Sequence, residues 1–439
     1  MRSVLAAIAA TTLLAGGALA ADDAARAQPQ TPPQWTVGGF GTLGAVWHQE
    51  DDTQFRRSVD QRRGARANEL DFGVDSALGL QVHGVLTPQW SVTAQAVMNQ
   101  GRHGEWGPHL VWGFVKYLPN DWSEIRVGRL VTDIFIDGDS RHVGYAYTTV
   151  RPYTDVYGRL TYDGFDGIDA SVQRPLGDGV LRFKVFGGRT RGSVYLNQNE
   201  HPMNLGRTFG ATLDWIGPEL SFKLSWGRMV TTRNDTNGDL RSALGDVAAM
   251  GAALNLPQLA AQASARAGEI TASNRVGYLG AALAWERGPF SLQLMGTDMS
   301  MTAFPGFEGW GAGLTAAYRF GRWKPYVTYS RSVIDPNERR LDLPLERLPD
   351  LAVLSQVWGG LHDYTRHDQY TIGAGVRYDV TENVALKLQV DRIEAKRSSS
   401  LLDDKGFVPG MAAGPAGPFV EDASARSLTL FSASLDFVF

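Results

Sequence analysis

Gly39-Phe40-Gly41-Thr42-Leu43-Gly44 has the G-x-G-x-x-G spacing that cradles a pyrophosphate when a strand precedes it and a helix follows. Here the glycines fall inside one alternating run, Thr36 to His48, so they read as strand residues that ease packing and bending. Asp235-Thr236-Asn237-Gly238-Asp239 resembles the start of a calcium loop, with Asp246 at the twelfth position. Its sixth position, where the sharp turn requires Gly, is Leu240, and a polar loop is the better reading. The eight histidines are scattered, without H-E-x-x-H or zinc-ligand spacing. No G-x-S-x-G occurs, and no Ser/His/Asp set follows from spacing. The sequence therefore predicts no catalytic residue, no metal and no cofactor. What remains is electrostatic chemistry, carried by charges at alternate positions of many runs. The bases are Arg126, Arg182, Lys184, Lys223, Arg319, Lys324, Arg377 and Lys387; the acids are Asp71, Asp75, Asp169, Asp214, Glu286, Asp379, Asp391 and Asp436. Eight against eight gives no net ion preference.

Alternation of this kind requires strands. Leu220, Phe222, Leu224 and Trp226 oppose Ser221, Lys223 and Ser225; Val384, Leu386, Leu388 and Val390 oppose Lys387, Gln389 and Asp391. Phe72, Val74, Leu78, Leu80 and Val82 share a phase against Asp71, Asp75, Gln81 and His83. Period two puts the apolar members on one face. Leu110 to Leu118 fits either parity, and Arg129 and Arg228 fall in the apolar phase.

Seven tight turns separate the runs: Thr87–Gln89, Pro119–Asp121, Pro175–Asp178, Gly217–Glu219, Arg287–Pro289, Gly321–Arg322 and Thr381–Asn383. Their Pro, Gly, Asn and Asp residues supply the fixed or positive φ of turns. Fourteen strands flank them, and the runs Thr36–His48 and Leu428–Phe439 make sixteen. The connections between hairpins are all long or irregular, and Leu240 to Glu269 reads as one or two helices within such a loop, broken at Pro257. Short turns at one end and long loops at the other mark an all-β, transmembrane antiparallel barrel with periplasmic turns and extracellular loops. A soluble sandwich would alternate too, with its apolar face inward. Uninterrupted hairpins, segregated loop lengths and aromatics near the short turns (Trp90, Trp122, Trp215, Trp285, Phe290, Phe320, Trp323, Tyr378) favour the barrel.

The 439 residues open with Met1-Arg2, an apolar stretch to Leu19 and Ala18-Leu19-Ala20, which read as a signal peptide over 1–20. An Ala-, Gln- and Pro-rich linker over 21–34 follows, and the barrel occupies 35–439. Fifty glycines, 43% hydrophobic residues, no cysteine and a net charge of −4 suit an exported barrel and do not suggest nucleic-acid binding. No later stretch supplies the ~20 apolar residues of a spanning helix.

Phe431-Ser432-Ala433-Ser434-Leu435-Asp436-Phe437-Val438-Phe439 resembles the terminal strand that the assembly machinery reads in bacterial outer-membrane barrels, with Phe437 and Phe439 as its signal. Tyr162 to Gln173, Arg126-Val127-Gly128-Arg129-Leu130 and Pro325 to Ser330 are similar to strand segments of the Gram-negative general porins. In that family the loop after the fifth strand folds into the lumen. By resemblance that is Thr132 to Arg159, with Asp133, Asp137, Asp139, Tyr145, Tyr147, Tyr153 and Tyr157. Its acids would face Arg126, Arg182 and Lys184 on the wall, and the transverse field of such a constriction would orient dipolar solutes. The Pro-Glu-Phe-Gly motif common in that loop is missing. The resemblance implies passive diffusion of small hydrophilic solutes through a homotrimer in the cell outer membrane of a Gram-negative bacterium. Lipid, lipopolysaccharide and the assembly machinery would be its partners. A channel dedicated to an anion, a sugar or an organic acid is the alternative, and a non-conducting barrel enzyme or adhesin the more distant one.

Overall fold

A computed structural model describes residues 34–439 apart from 52, 59–60, 62, 101–105, 159–163, 191, 197–198, 204, 232–234, 271–274, 303–306, 337–366 and 397–424. The predicted signal segment and residues 21–33 of the linker lie outside the described residues. In chain order the elements are β1 (Gln34–Trp47), the short pair β2 (Gln54–Phe55) and β3 (Ala65–Arg66), β4 (Ala77–Val85), β5 (Trp90–Gln100), β6 (Trp106–Asn120) and β7 (Ser123–Val131). The one-turn helix α1 (Thr154–Tyr157) comes next, followed by β8 (Gly164–Leu176), β9 (Gly179–Arg189), the pair β10 (Gly192–Leu196) and β11 (Asn199–Met203), β12 (Leu205–Ile216) and β13 (Leu220–Thr231). Helices α2 (Asp235–Ala253) and α3 (Pro257–Glu269) precede β14 (Arg275–Arg287), β15 (Phe290–Thr302), β16 (Phe307–Tyr318), β17 (Trp323–Pro336), β18 (His367–Asp379), β19 (Val384–Ala395) and β20 (Arg426–Val438).

Sixteen of these strands close one antiparallel barrel, with β1 paired to both β4 and β20. All seven predicted tight turns join neighbouring wall strands. Closure removes the sheet edges that would otherwise leave backbone groups unpaired in lipid. The closing seam explains the first-strand glycines. Gly39 and Gly41 lie beneath the rings of Phe439 and Phe437, so a Cβ at either position would occupy the space of the ring.

The outer face is apolar and uncovered: Val37 is 65% exposed, Leu279 58%, Val327 56% and Leu388 52%. A sandwich would hide those side chains. The turn-end aromatics pair along the rim, with ring centroids 4.5 Å apart for Trp90–Tyr117 and for Trp323–Tyr378, and 4.9 Å for Phe290–Tyr318. Amphipathic rings at this level suit a membrane interface.

Four details depart from the sequence reading. Asp71, bridged to Val46 of β1, and Asp75, in a turn, both precede β4, and Val74 is buried inside instead of sharing the outward phase of Leu78 and Leu80. The doubtful parity of 110–118 has a cause: the β5–β6 register slips by one between Gln95 and Ala96, so Leu110 and Val115 both face out while Trp112 and Phe114 face in. The long connection 189–206 contains the β10–β11 hairpin. The helical insertion begins at Asp235, which places the calcium-like residues in the first turns of α2, and Pro257 opens α3, where its missing N–H costs nothing.

Candidate functional site

The connection after β7 turns inward at Thr132, and its residues bond lumen-facing side chains on much of the wall. Two kinds of force hold it there. The first is apolar: Ile134, Phe135, Val143, Tyr153, Val156 and Tyr157 of the loop share a buried cluster with inward-facing wall residues, among them Phe40, Trp112, Phe114, Phe186 and Tyr278. Phe135 sits between the rings of Tyr157, at 4.2 Å, and Tyr278, at 5.6 Å. An interior of polar side chains alone would not retain a loop of this length against its conformational entropy.

The second force is ionic. Asp133 accepts from Lys184 of β9 and Lys223 of β13, each at 2.5 Å, and the Ser225 hydroxyl donates to the Ile134 carbonyl at 2.7 Å. Burial alone would raise the Asp133 carboxyl, yet the two ammonium groups and Arg182 hold it far below the carboxylate range. Asp137 accepts from Gln293 of β15 at 2.9 Å and faces no cation as closely; burial raises its pKa. Further along, Arg377 donates to the carbonyls of Tyr145 and Tyr147 at 2.6 and 2.7 Å, and Lys387 to those of Gly144 and Thr149 at 2.7 and 3.0 Å. The Tyr145 hydroxyl reaches the carbonyl of Glu382, in the tight turn between β18 and β19, at 2.6 Å. The loop thus descends to the short-turn end of the barrel before it climbs back.

On the return, the Arg151 guanidinium is nearly sealed from solvent. It bonds Asp75 at 2.5 Å, Asp391 of β19 at 3.3 Å and Ser432 of β20 at 2.7 Å, with the Phe55 ring 5.0 Å away. Burial works against its charge, but Asp75 and Asp391 outweigh that and raise its pKa. Tyr153 shares a 2.8 Å bond with Thr315 of β16. In α1, Asp155 accepts from Ser330 of β17 at 2.6 Å and from Gln369 of β18 at 2.5 Å. Burial pushes its carboxyl up to about 6; the hydrogen bonds pull downward and nearby Asp391 adds to the rise. A cavity lined by Arg151, Tyr153, Ser330, Thr371, Gln389 and Asp391 lies between this part of the loop and the wall.

Of the residues singled out from the sequence, the structure brings Asp133 and Lys184 into contact. Arg126 instead forms a bidentate pair with Asp169 of the adjacent strand, 2.5 Å at its shortest, beside Glu124. Arg182 pairs with Asp214 at 3.3 Å. Asp139 lies half-buried in a 3₁₀ turn over Gly138–Ser140. Arg151 and Asp155 were not foreseen. Their signal was faint: Asp391 has no base at the neighbouring inward positions, Gln389 and Ile393, and Arg151 is one of the few bases of the loop.

The Gram-negative porin family model matches residues 5–398 of this chain. The chain belongs to the Gram-negative porin family. As a porin it lies in the outer membrane and passes small hydrophilic solutes by passive diffusion. No curated protein matches it in sequence. Among solved structures it is similar to the outer-membrane channel DcaP of Acinetobacter baumannii (TM-score 0.53, 9% identity, 94% of this chain and 99% of that one). It is also similar to an anion-selective porin from Comamonas acidovorans (TM-score 0.51, 13% identity, 93% and 100%). A third likeness is to in-vitro folded OmpT of Vibrio cholerae in its trimer form (TM-score 0.51, 8% identity, 93% and 100%). At these identities the likeness is one of fold.

Proposed function

We propose that the loop 132–158 sets the narrowest passage of the porin, and that its anchoring to the wall, more than any single charge, decides which solutes pass. What supports this reading is that one connection is bonded to β9 and β13 through Asp133, to β18 and β19 through the Tyr145–Thr149 backbone, and to β17, β18 and β20 through Arg151 and Asp155. A segment held at so many points of a closed wall divides the lumen instead of hanging at its mouth. Asp133, Asp137, Asp139, Arg126, Arg182 and Lys184 then act as parts of that wall and loop. The pairs are contacts, so the transverse field is weaker than acids and bases facing one another across water would produce. The porin works without catalytic chemistry, as a homotrimer, in contact with outer-membrane lipid and lipopolysaccharide after delivery by the assembly machinery.

Planar-bilayer recording tests the loop. A variant in which residues 134–157 are replaced by a short Gly/Ser linker should fold and conduct several-fold more current per channel than the wild type. A folded barrel with unchanged conductance would remove the loop from this role. Should that variant fail to fold, Arg151→Ala provides the second reading, with wider and noisier openings expected.

A further inference from the structure

The inner wall along β19 and β20 changes character partway up. Toward the short turns its inward residues are polar: Lys387, Gln389 and Asp391 on β19, and Ser432, Ser434 and Asp436 on β20. Beyond Asp391 and Ser432 they are apolar: Ile393 and Ala395, Leu430 and Leu428, with Val46 of β1 beside them. Such a face is unfavourable against a water-filled channel, and here it meets no water. Phe55 of β2, Ala65 of β3 and Val74 cover it, and each of these eight side chains is no more than 3% exposed. The covering segment is itself tied together. The Gly64 N–H donates to the Gln54 side chain at 3.0 Å, and the Asn68 N–H to the His48 carbonyl at 2.7 Å. Its end is fixed to β1, where Asp71 bridges Val46 and the Gly44 N–H donates to the Ser76 hydroxyl at 2.9 Å.

The polar part of the same wall is covered by loop 132–158, with the Val150 N–H donating to Gln389 at 2.9 Å above the contacts of Lys387. Arg151 stands where the two coverings meet. Asp391 and Ser432 reach it from the wall, whereas Asp75 and the Phe55 ring reach it from the segment that precedes β4. Burial alone would raise the Asp75 carboxyl, but the Arg151 guanidinium holds it below its ordinary value. Arg57 adds a second link, donating to the Arg141 carbonyl at 3.4 Å. Between them the two segments bury every inward side chain of β19 from Ala385 to Ala395 and of β20 from Leu428 to Asp436. Across the barrel, Glu124 of β7, Ser171 and Gln173 of β8 and Arg182 of β9 stay partly exposed. We propose that the β2–β3 hairpin and the Val74–Ser76 segment form a second constricting element, which closes the inner face of β19 and β20 to solutes and turns them toward β7–β9. Phe55 and Asp75 act in it as positioning residues: they hold Arg151, and through Arg151 they keep loop 132–158 docked. Resting on loop 132–158 as the constriction, this adds a second stretch of chain that shapes the passage.

The chain has no cysteine, so single introduced thiols report access. Ile393→Cys, beneath the hairpin, and Ser171→Cys, on the opposite wall, are treated in the purified full-length porin with a charged methanethiosulfonate of solute size. Ser171→Cys should react about tenfold faster than Ile393→Cys, because the reagent has to reach the thiolate. Replacing residues 53–67 by a short Gly/Ser linker should bring the two rates together. Equal rates before the replacement, or a slow Ile393→Cys after it, would overturn the proposal. If the linker variant does not fold, Phe55→Ala carries the same expectation for Ile393→Cys. Positioning is read by hydrogen exchange of residues 145–157, which lie in the other loop. Phe55→Ala and Asp75→Asn should each speed that exchange several-fold, Asp75→Glu should recover part of the loss, and Asp75→Asn should add nothing to Arg151→Ala. Arg63→Gln, in an exposed pair with Glu69 away from the junction, should leave exchange as in the wild type. Unchanged exchange in Phe55→Ala and Asp75→Asn, or an Asp75→Asn effect that persists in full beside Arg151→Ala, would sink the positioning role. Labelling and exchange are read without current, so their failure is distinct from an unchanged conductance on removal of residues 134–157.

Discussion

At the scale of the residue, Asp155 and Arg151 do opposite electrostatic work in the same stretch of loop. Asp155 is buried among neutral hydrogen-bond donors, and its pKa rises from the ordinary 3.8 to about 6. The docked loop therefore binds that proton more tightly than a released loop does. Docking is strongest below about pH 4, weakens as the pH rises toward 6 and is flat above it. Hydrogen exchange of residues 150–158 should be slower at pH 4.5 than at pH 7, after correction for intrinsic rates. Asp155→Asn, which keeps an acceptor and removes the charge, should hold the slow rate at both values. If the variant keeps the wild-type pH difference, another group is responsible. Arg151 is the reverse case, a cation neutralised by Asp75 and Asp391. Its replacement by alanine leaves two carboxylates buried without their partner, a loss of about 3–5 kcal/mol where such pairs have been broken. Arg151→Ala should raise open-channel noise without lowering the heat resistance of the barrel, because the loop is released and the wall is not.

At the scale of the element, the wall strands were legible and the contents of the lumen were not. A two-residue period and Pro/Gly/Asn turns depend on neighbours a few positions away, which is why Thr87–Gln89 or Thr381–Asn383 could be placed without coordinates. The β6 bulge could not, since one extra residue flips parity and leaves no compositional trace beyond the ambiguity of Leu110 to Leu118. Nor could the inward aromatics Phe40, Trp112, Phe114 and Phe186 be expected on a face that faces water elsewhere. They are inward because the loop, which for Phe40 lies about 100 residues away in sequence, covers them. The reading of Asp133 against Lys184 rested on family resemblance; the same resemblance offered nothing about Arg151. The glycines of β1 are strand residues, as their place in an alternating run predicts, but their purpose lies in the rings of the last strand. Gly41→Val would drive a branched side chain into the Phe437 ring at the seam. The β1–β20 contact should weaken, and the temperature at which the barrel loses its folded mobility in semi-native electrophoresis should drop by several degrees. Gly44→Ala, on the inward side of the same strand and against Asp75, would test the loop more than the seam.

At the scale of the whole molecule, the charges that line the lumen neutralise one another locally. Arg126 faces Asp169 and Glu124, Arg182 faces Asp214, and Lys184 and Lys223 share Asp133. Arg319 and Arg377 share Asp379, Lys387 meets Asp436 at 3.1 Å, and Lys324 stands 3.9 Å from Glu286. A permeating ion senses the potential summed over these pairs, and paired charges a few ångströms apart cancel over a distance comparable to the Debye length of about 8 Å in physiological salt. Strong selectivity requires a ring or stripe of one sign, which none of these clusters supplies. Reversal potentials in a tenfold KCl gradient should therefore stay far inside the about 59 mV of an ideally selective pore. Cancellation also predicts how selectivity can be created. Asp214→Asn frees Arg182 and removes one of the two acids facing Lys223, so it should move the reversal potential toward anions. Lys387→Gln leaves Asp436 without its cation and should move it toward cations. Shifts of the same sign in both variants would show that the measured selectivity comes from outside these pairs, at the mouths of the channel.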